Sequence, residues 1–296
     1  MKKKKGIRLW IQLLWTAITN GYVIGFVEGK IFKGSSKQFC VPGLNCYSCP
    51  GATFSCPIGS LMATLNARQF HFAFYIVGFL MFFGSLFGRF VCGSLCPFGL
   101  VQDLLYKIPF PFKRKNMPGH KALKWLKYVV LVVVVFLMGS LISDATGLGQ
   151  PWFCEYICPS GTLIAGIPLV AMNEGLQAAA GFRFALKLAI LIVILLLSVV
   201  YYRPFCKYLC PLGALYGLFN PVAFYRFEVD KEKCVGCGAC QKACRMDIPV
   251  YLKPNSLDCI RCGDCKRACP KGAIGRAKIL PINSSKSSAV EKKNNQ

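Results

Sequence analysis

Two cysteine runs near the C-terminus constrain this chain more than any other feature. Cys234, Cys237, Cys240 and Cys244 follow the spacing C-x2-C-x2-C-x3-C, and Cys259, Cys262, Cys265 and Cys269 repeat it. This is the spacing of bacterial ferredoxins that hold two [4Fe–4S] clusters, where three close thiolates bind one cubane and the fourth cysteine crosses to the other. One cluster is therefore expected on Cys234, Cys237, Cys240 and Cys269, and its mate on Cys259, Cys262, Cys265 and Cys244. Gly236, Gly238 and Gly263 let the backbone fold closely over the sulfides and aim N–H groups at them. Zinc is the competing metal, but its knuckles supply two ligands each and do not account for a triple run with a remote fourth cysteine, occurring twice. Pro270 follows Cys269 as the pattern has it, whereas Arg245 follows Cys244 and the proline is displaced to Pro249.

The rest of the chain is of another kind. With 54% hydrophobic and 16% charged residues among 296, it is too apolar for a soluble enzyme or a secreted disulfide scaffold. Four apolar segments are long enough to cross about 30 Å of hydrocarbon: Leu9 to Val27, Phe70 to Val91, Trp125 to Ile142 and Phe182 to Tyr202. The first follows the basic run Lys2–Lys5 and reads as a signal-anchor, made polar by Gln12, Thr16 and Asn20. Lys and Arg crowd the N-terminal segment and the 89–127 loop, and thin out across 28–69 and 143–181, which places both termini in the cytoplasm. The net charge of +24 is then an orientation signal that meets anionic lipid, and nucleic acid is not expected as a partner. The expected fold is an α-helical membrane protein with four transmembrane helices (1–220), then a C-terminal α+β ferredoxin domain with two [4Fe–4S] clusters (221–280) and a disordered tail (281–296).

A second motif repeats inside the membrane part: Cys56-Pro-Ile-Gly, Cys96-Pro-Phe-Gly, Cys158-Pro-Ser-Gly and Cys210-Pro-Leu-Gly. Three of the four carry another cysteine four residues earlier, at Cys92, Cys154 and Cys206. Cys92, Cys96, Cys206 and Cys210 fall at the cytoplasmic ends of spans two and four, and supply the four thiolates one cubane needs. Proline suits the first position of a helix, whose free N–H groups and positive end favour thiolates and an anionic cluster. Packing cysteines are the plain alternative, but four repeats at equivalent boundaries speak against it. Outside, Cys154 and Cys158 would join Cys56 and one or both of Cys46 and Cys49. Ala52 breaks the repeat there, so the partner cannot be read off. These outer cysteines, with Cys40, equally fit disulfides, and one cluster with one disulfide fits both readings.

These residues resemble the NapH-type membrane polyferredoxins, related to NosR-like and CcoG-like proteins. The resemblance rests on the spans, on Cys92-x3-Cys96-Pro and Cys206-x3-Cys210-Pro, and on the double ferredoxin tail. It implies a membrane-bound electron-transfer protein of the cell's inner membrane. Electrons would pass between a cytoplasmic donor and the quinone pool or a membrane or outer-facing redox partner, as one subunit of an oxidoreductase system such as a quinol dehydrogenase in anaerobic respiration. The alternative it suggests is a redox-sensing or metallocentre-assembly factor. The outer cysteines, including Cys46-Tyr-Ser-Cys49-Pro, depart from the minimal NapH pattern. Only His71 and His120 are available, neither in mid-membrane, so a bis-histidine haem is excluded; no C-x-x-C-H, G-x-G-x-x-G opening a helix or P-loop is present. The spans lack the buried charges of a transporter. No carrier is evident across the hydrocarbon between inner and outer cysteines, which leaves recessed clusters, a shuttling quinone or a bridging subunit.

Overall fold

The computed structural model describes residues 7–65, 70–141 and 151–277. The basic run Lys2–Lys5, part of the outer loop and the tail 281–296 lie outside the described residues. The chain is mostly helical, with a small C-terminal unit in which Phe227–Val229 pairs antiparallel with Ile274–Arg276, Phe227 opposite Arg276. Two short helices, Ala239–Ala243 and Asp264–Ala268, complete that α+β unit.

Two helices, His120–Leu141 and Phe182–Val200, are long and apolar enough to cross a membrane. The first carries a π-helical stretch over Val130–Leu137, and both turn aliphatic side chains outward. The expected span Phe70 to Val91 breaks in two: a helix over Phe70–Phe87, apolar but with a shorter described stretch, turns at Gly88 (φ +51°) into the short helix Phe90–Ser94. The first expected span is likewise interrupted. Helices Ile7–Thr19 and Val23–Glu28 are separated at Asn20–Tyr22, where Tyr22 N–H donates to Gly51 O and Thr53 N–H to Thr19 O. The polar residues noted in that segment have work there: Gln12 is buried and donates to Gly93 O at 3.2 Å, and Asn45 donates to Thr19 O at the helix end.

Each Cys-Pro repeat starts a helix with proline in its first turn: Pro57–Leu65, Pro97–Leu105, Pro159–Gly161 leading into Thr162–Met172, and Pro211–Phe219. The two inner repeats match residue for residue. A five-residue helix (Phe90–Ser94, Pro204–Tyr208) carries the first cysteine, the second cysteine caps, and a nine-residue helix follows. One continuous apolar core holds Cys92, Cys96, Cys206 and Cys210 together with Cys40 and Cys158, and Cys56 and Cys154 pack against it.

Candidate iron–sulfur sites

All eighteen cysteines stand as free thiols. Among the described residues no group of three or more His, Cys, Asp or Glu converges tightly enough for one metal ion.

Cys234, Cys237, Cys240 and Cys269 line one small cavity, under Gly236 and Gly238, which sit at φ +68° and +67° where other residues would strain. Cys237 is exposed to solvent. Ala273 N–H donates to Cys269 Sγ at 3.3 Å. Cys244, Cys259 and Cys265 are buried in the core of the small unit, with Cys262 packed against them, and the four thiols are electrostatic neighbours.

Cys92, Cys96, Cys206 and Cys210 line a second, small cavity. Gly213 N–H donates to Cys210 Sγ at 3.3 Å and Gln102 Nε2 to Cys206 Sγ at 3.1 Å. Around this cage lies a feature that the sequence reading missed. Arg89 and Arg203 each stand three residues before the first cysteine of an inner pair, and both are fully buried. They cross over. Arg89 Nη2 donates to the carbonyl of Cys206 at 2.8 Å, and Arg203 Nη1 donates to the carbonyl of Cys92. The glycine of each Cys-Pro-x-Gly motif makes room for the other half's guanidinium: a Cβ on Gly99 would stand 3.2 Å from Arg203, and one on Gly213 would stand 3.2 Å from Arg89. The signal was an arginine at the same offset before Cys92 and Cys206, absent before the outer cysteines.

Two buried cations need counter-charge, because an isolated ion in a medium this apolar costs several kcal/mol. Arg203 makes a two-pronged pair with Asp103 (Nε to Oδ1 2.8 Å, Nη2 to Oδ2 2.6 Å), and Arg8 joins the same carboxylate at 2.6 Å. Burial alone would raise the Asp103 carboxyl, but the charges of Arg203 and Arg8 overcome it and hold it below the usual range. Arg89 pairs with Asp258 at 3.2 Å, and Lys127 binds the same oxygen. Arg89 and Lys127, counted above as cytoplasmic surface charge, are therefore buried ion-pair members.

Asp258 belongs to the ferredoxin unit, immediately before Cys259. Around it the main chain of the second tail motif lies directly on the membrane part: a Cβ on Gly93, between Cys92 and Cys96, would be 2.3 Å from Ile260 O. Arg261, at φ 52°, donates to Phe87 O and Asn220 O, both at 2.7 Å. Asn220 in turn donates to Ser256 O and Cys259 O.

The outer cysteines resolve unevenly. Cys46, Cys56, Cys154 and Cys158 line one wide cleft with about 2080 Å³ of empty space, open to solvent. Here the motif glycines face thiols: a Cβ on Gly59 would be 3.6 Å from Cys154 Sγ, and one on Gly161 would be 3.4 Å from Cys46 Sγ. Gly161 N–H donates to Cys158 Sγ at 3.4 Å. Ser160 Oγ and Asn45 Oδ1, both buried at the cleft wall, have no hydrogen-bond partner, as donors and acceptors waiting for a bound group do. Cys46 thus takes the place that Ala52 vacates. Cys49 does not line this cleft: it is buried in a small patch against which Cys46 packs, with its Sγ 3.8 Å from Asn20 Oδ1, and Cys40 lies 3.7 Å from Ser60 Oγ. His120 bonds Tyr208 Oη at 3.0 Å.

A family described as a 4Fe-4S binding domain matches residues 69–116, 128–169 and 185–227, and two further 4Fe-4S binding domains match 225–246 and 253–275. An uncharacterized protein of Methanocaldococcus jannaschii is 31% identical over 193 residues, 63% of each chain. The methylamine utilization ferredoxin-type protein MauN of Paracoccus denitrificans is 28% identical over 55% of this chain and 50% of its own length. The ferredoxin-type protein NapH of Haemophilus influenzae is 26% identical over 61% of this chain and 57% of its own. The chain therefore spans between half and two thirds of these relatives. No solved structure matches.

Proposed function

Because the chain belongs among the NapH-like ferredoxin-type proteins, which share its 4Fe-4S binding domains, we propose that it is a membrane-bound iron–sulfur electron-transfer protein with four cluster sites in series. The observation that carries this reading is the grouping of sixteen cysteines in fours: three sets of four each line a cavity of their own, and Cys244, Cys259, Cys262 and Cys265 pack together in the core of the small unit. A [4Fe–4S] cluster supplies a one-electron couple without proton or ligand exchange.

The protein's own groups do the rest. The thiolates of Cys234, Cys237, Cys240 and Cys269 form the entry site, next to solvent for a cytoplasmic donor. Cys244, Cys259, Cys262 and Cys265 form the second, held on the membrane part by the Asp258 ion pairs. Cys92, Cys96, Cys206 and Cys210 form the third, where backbone N–H groups of helix starts and the crossed arginines favour net negative charge. Cys46, Cys56, Cys154 and Cys158 form the fourth. Its cleft carries Lys33, Lys37 and Lys187 on its wall, which suits a quinone's carbonyls or an anionic face of an outer redox partner. In this reading four segments cross the membrane, with both termini and the ferredoxin domain in the cytoplasm.

Anaerobic purification tests the proposal: four cubanes require about 16 iron atoms and as many sulfides per chain. Iron near zero with stoichiometric zinc would sink it.

A further inference from the structure

We infer that the loop Cys40–Cys49 joins the inner and outer cysteine cages directly, with Leu44 as the shared wall, so that electrons cross between them in one step without a mobile carrier. The inference rests on the reading that both cages hold clusters. By sequence this loop is an outer one, and an outer loop should stand a membrane's width, about 30 Å, from the inner cysteines. Instead it dips into the core. Leu44 is 2% exposed and lines both cages; Pro42 and Gly43 before it line the inner one, Asn45 and Cys46 after it the outer one. Gly43 is what allows the approach, since a Cβ there would be 2.9 Å from Leu95 O and 3.2 Å from the Cα of Cys96. The Leu44 amide is directed at the Cys96 thiol. From Leu44 to Cys46 is two residues, at most about 7 Å of chain.

One further residue has thiols of both cages within electrostatic range. Tyr216, on the helix that Cys210 caps, is fully buried and its hydroxyl has no partner. Its charge neighbours are Cys92 and Cys96 on one side and Cys40 and Cys56 on the other. In the step itself one electron leaves the centre held by Cys92, Cys96, Cys206 and Cys210 and one arrives at the centre held by Cys46, Cys56, Cys154 and Cys158. No bond forms or breaks and no proton moves.

The experiment is EPR of the full chain, purified anaerobically and fully reduced with dithionite. Adjacent paramagnets broaden each other, so the inner centre's signal in the wild type should be broadened by the outer one. In Cys46→Ser/Cys158→Ser, iron should drop by about four atoms and the inner signal should sharpen. A second variant, Gly43→Ala, lifts the loop off Cys96 and should weaken the broadening at unchanged iron. If the double variant loses its four irons and the inner signal does not change, the direct contact is refuted while the four-site reading stands. If the wild type holds only the eight or so irons of the tail, both fail together.

Discussion

Arg89 donates to the carbonyl of Cys206 at 2.8 Å while Arg203 donates to the carbonyl of Cys92, so each inner repeat is held by the other's arginine. Neither half of the inner cage is complete alone. Arg89→Met or Arg203→Met should therefore lose about four irons per chain and leave the tail centres intact. Iron analysis and EPR distinguish this from general misfolding, in which the tail signals fall too.

The motif glycines offer a finer version of the same test. An alanine at Gly99 or Gly213 places a methyl 3.2 Å from a fixed guanidinium, and overpacking of this kind costs about 1–3 kcal/mol. Gly78→Ala is the control, because nothing lies within 4 Å of a Cβ there. Thermal unfolding in detergent should rank both motif variants below wild type and Gly78→Ala level with it or above.

Asp258 joins the small C-terminal unit to the helical part of the chain through Arg89 and Lys127. Asp258→Asn leaves Arg89 and Lys127 buried without their shared counter-charge, a loss of about 3–5 kcal/mol. Limited proteolysis should then release a fragment carrying the tail cysteines, which the wild type resists. Equal protease resistance would show that Asn220 and Arg261 suffice to hold the domain.

Asp103 sets a pH dependence. Its folded carboxyl lies below the ordinary 3.8, so its stabilisation is complete above that value and is lost only as pH falls through the lower, folded one. The difference in melting temperature between wild type and Asp103→Asn should stay flat from about pH 8 to pH 5. A difference that shrinks across that window would mean that Asp103 titrates near neutrality.

Cys46 and Cys49 look alike in sequence and should behave differently. Cys46→Ser should remove the outer centre, whereas Cys49→Ser should keep the full iron content. Equal losses would require Cys49 to leave its place beside Asn20.

The grouping of the tail cysteines was legible because it is local: a C-x2-C-x2-C run brings three thiols together within one loop, and Cys269 joins Cys234, Cys237 and Cys240 as the duplicated pattern suggests. The inner set was legible from topology and from Cys-Pro, a helix start readable in two letters. The outer set was not, because its fourth member, Cys46, comes from a loop whose path is set by Gly43 packing on Cys96, a contact remote in sequence. Arg89 was counted among the charges of the 89–127 loop and Arg203 was not singled out, since nothing local distinguishes a buried arginine from an exposed one; only the repeat of their offset could. The interrupted first span reflects the same limit: Gln12 and Asn20 serve partners at Gly93 and Cys49, far along the chain.

Cys237 is the one exposed thiol among the four sets, and that exposure has a cost in air. Molecular oxygen reaches the entry site freely, while the inner cage is closed off by protein. Oxidative loss should therefore proceed from the soluble end inward. On the proposed reading, a preparation handled aerobically would keep the iron of the inner cage, and colour, yet have lost its entry site, so an inactive brown protein would be a record of handling and not of function.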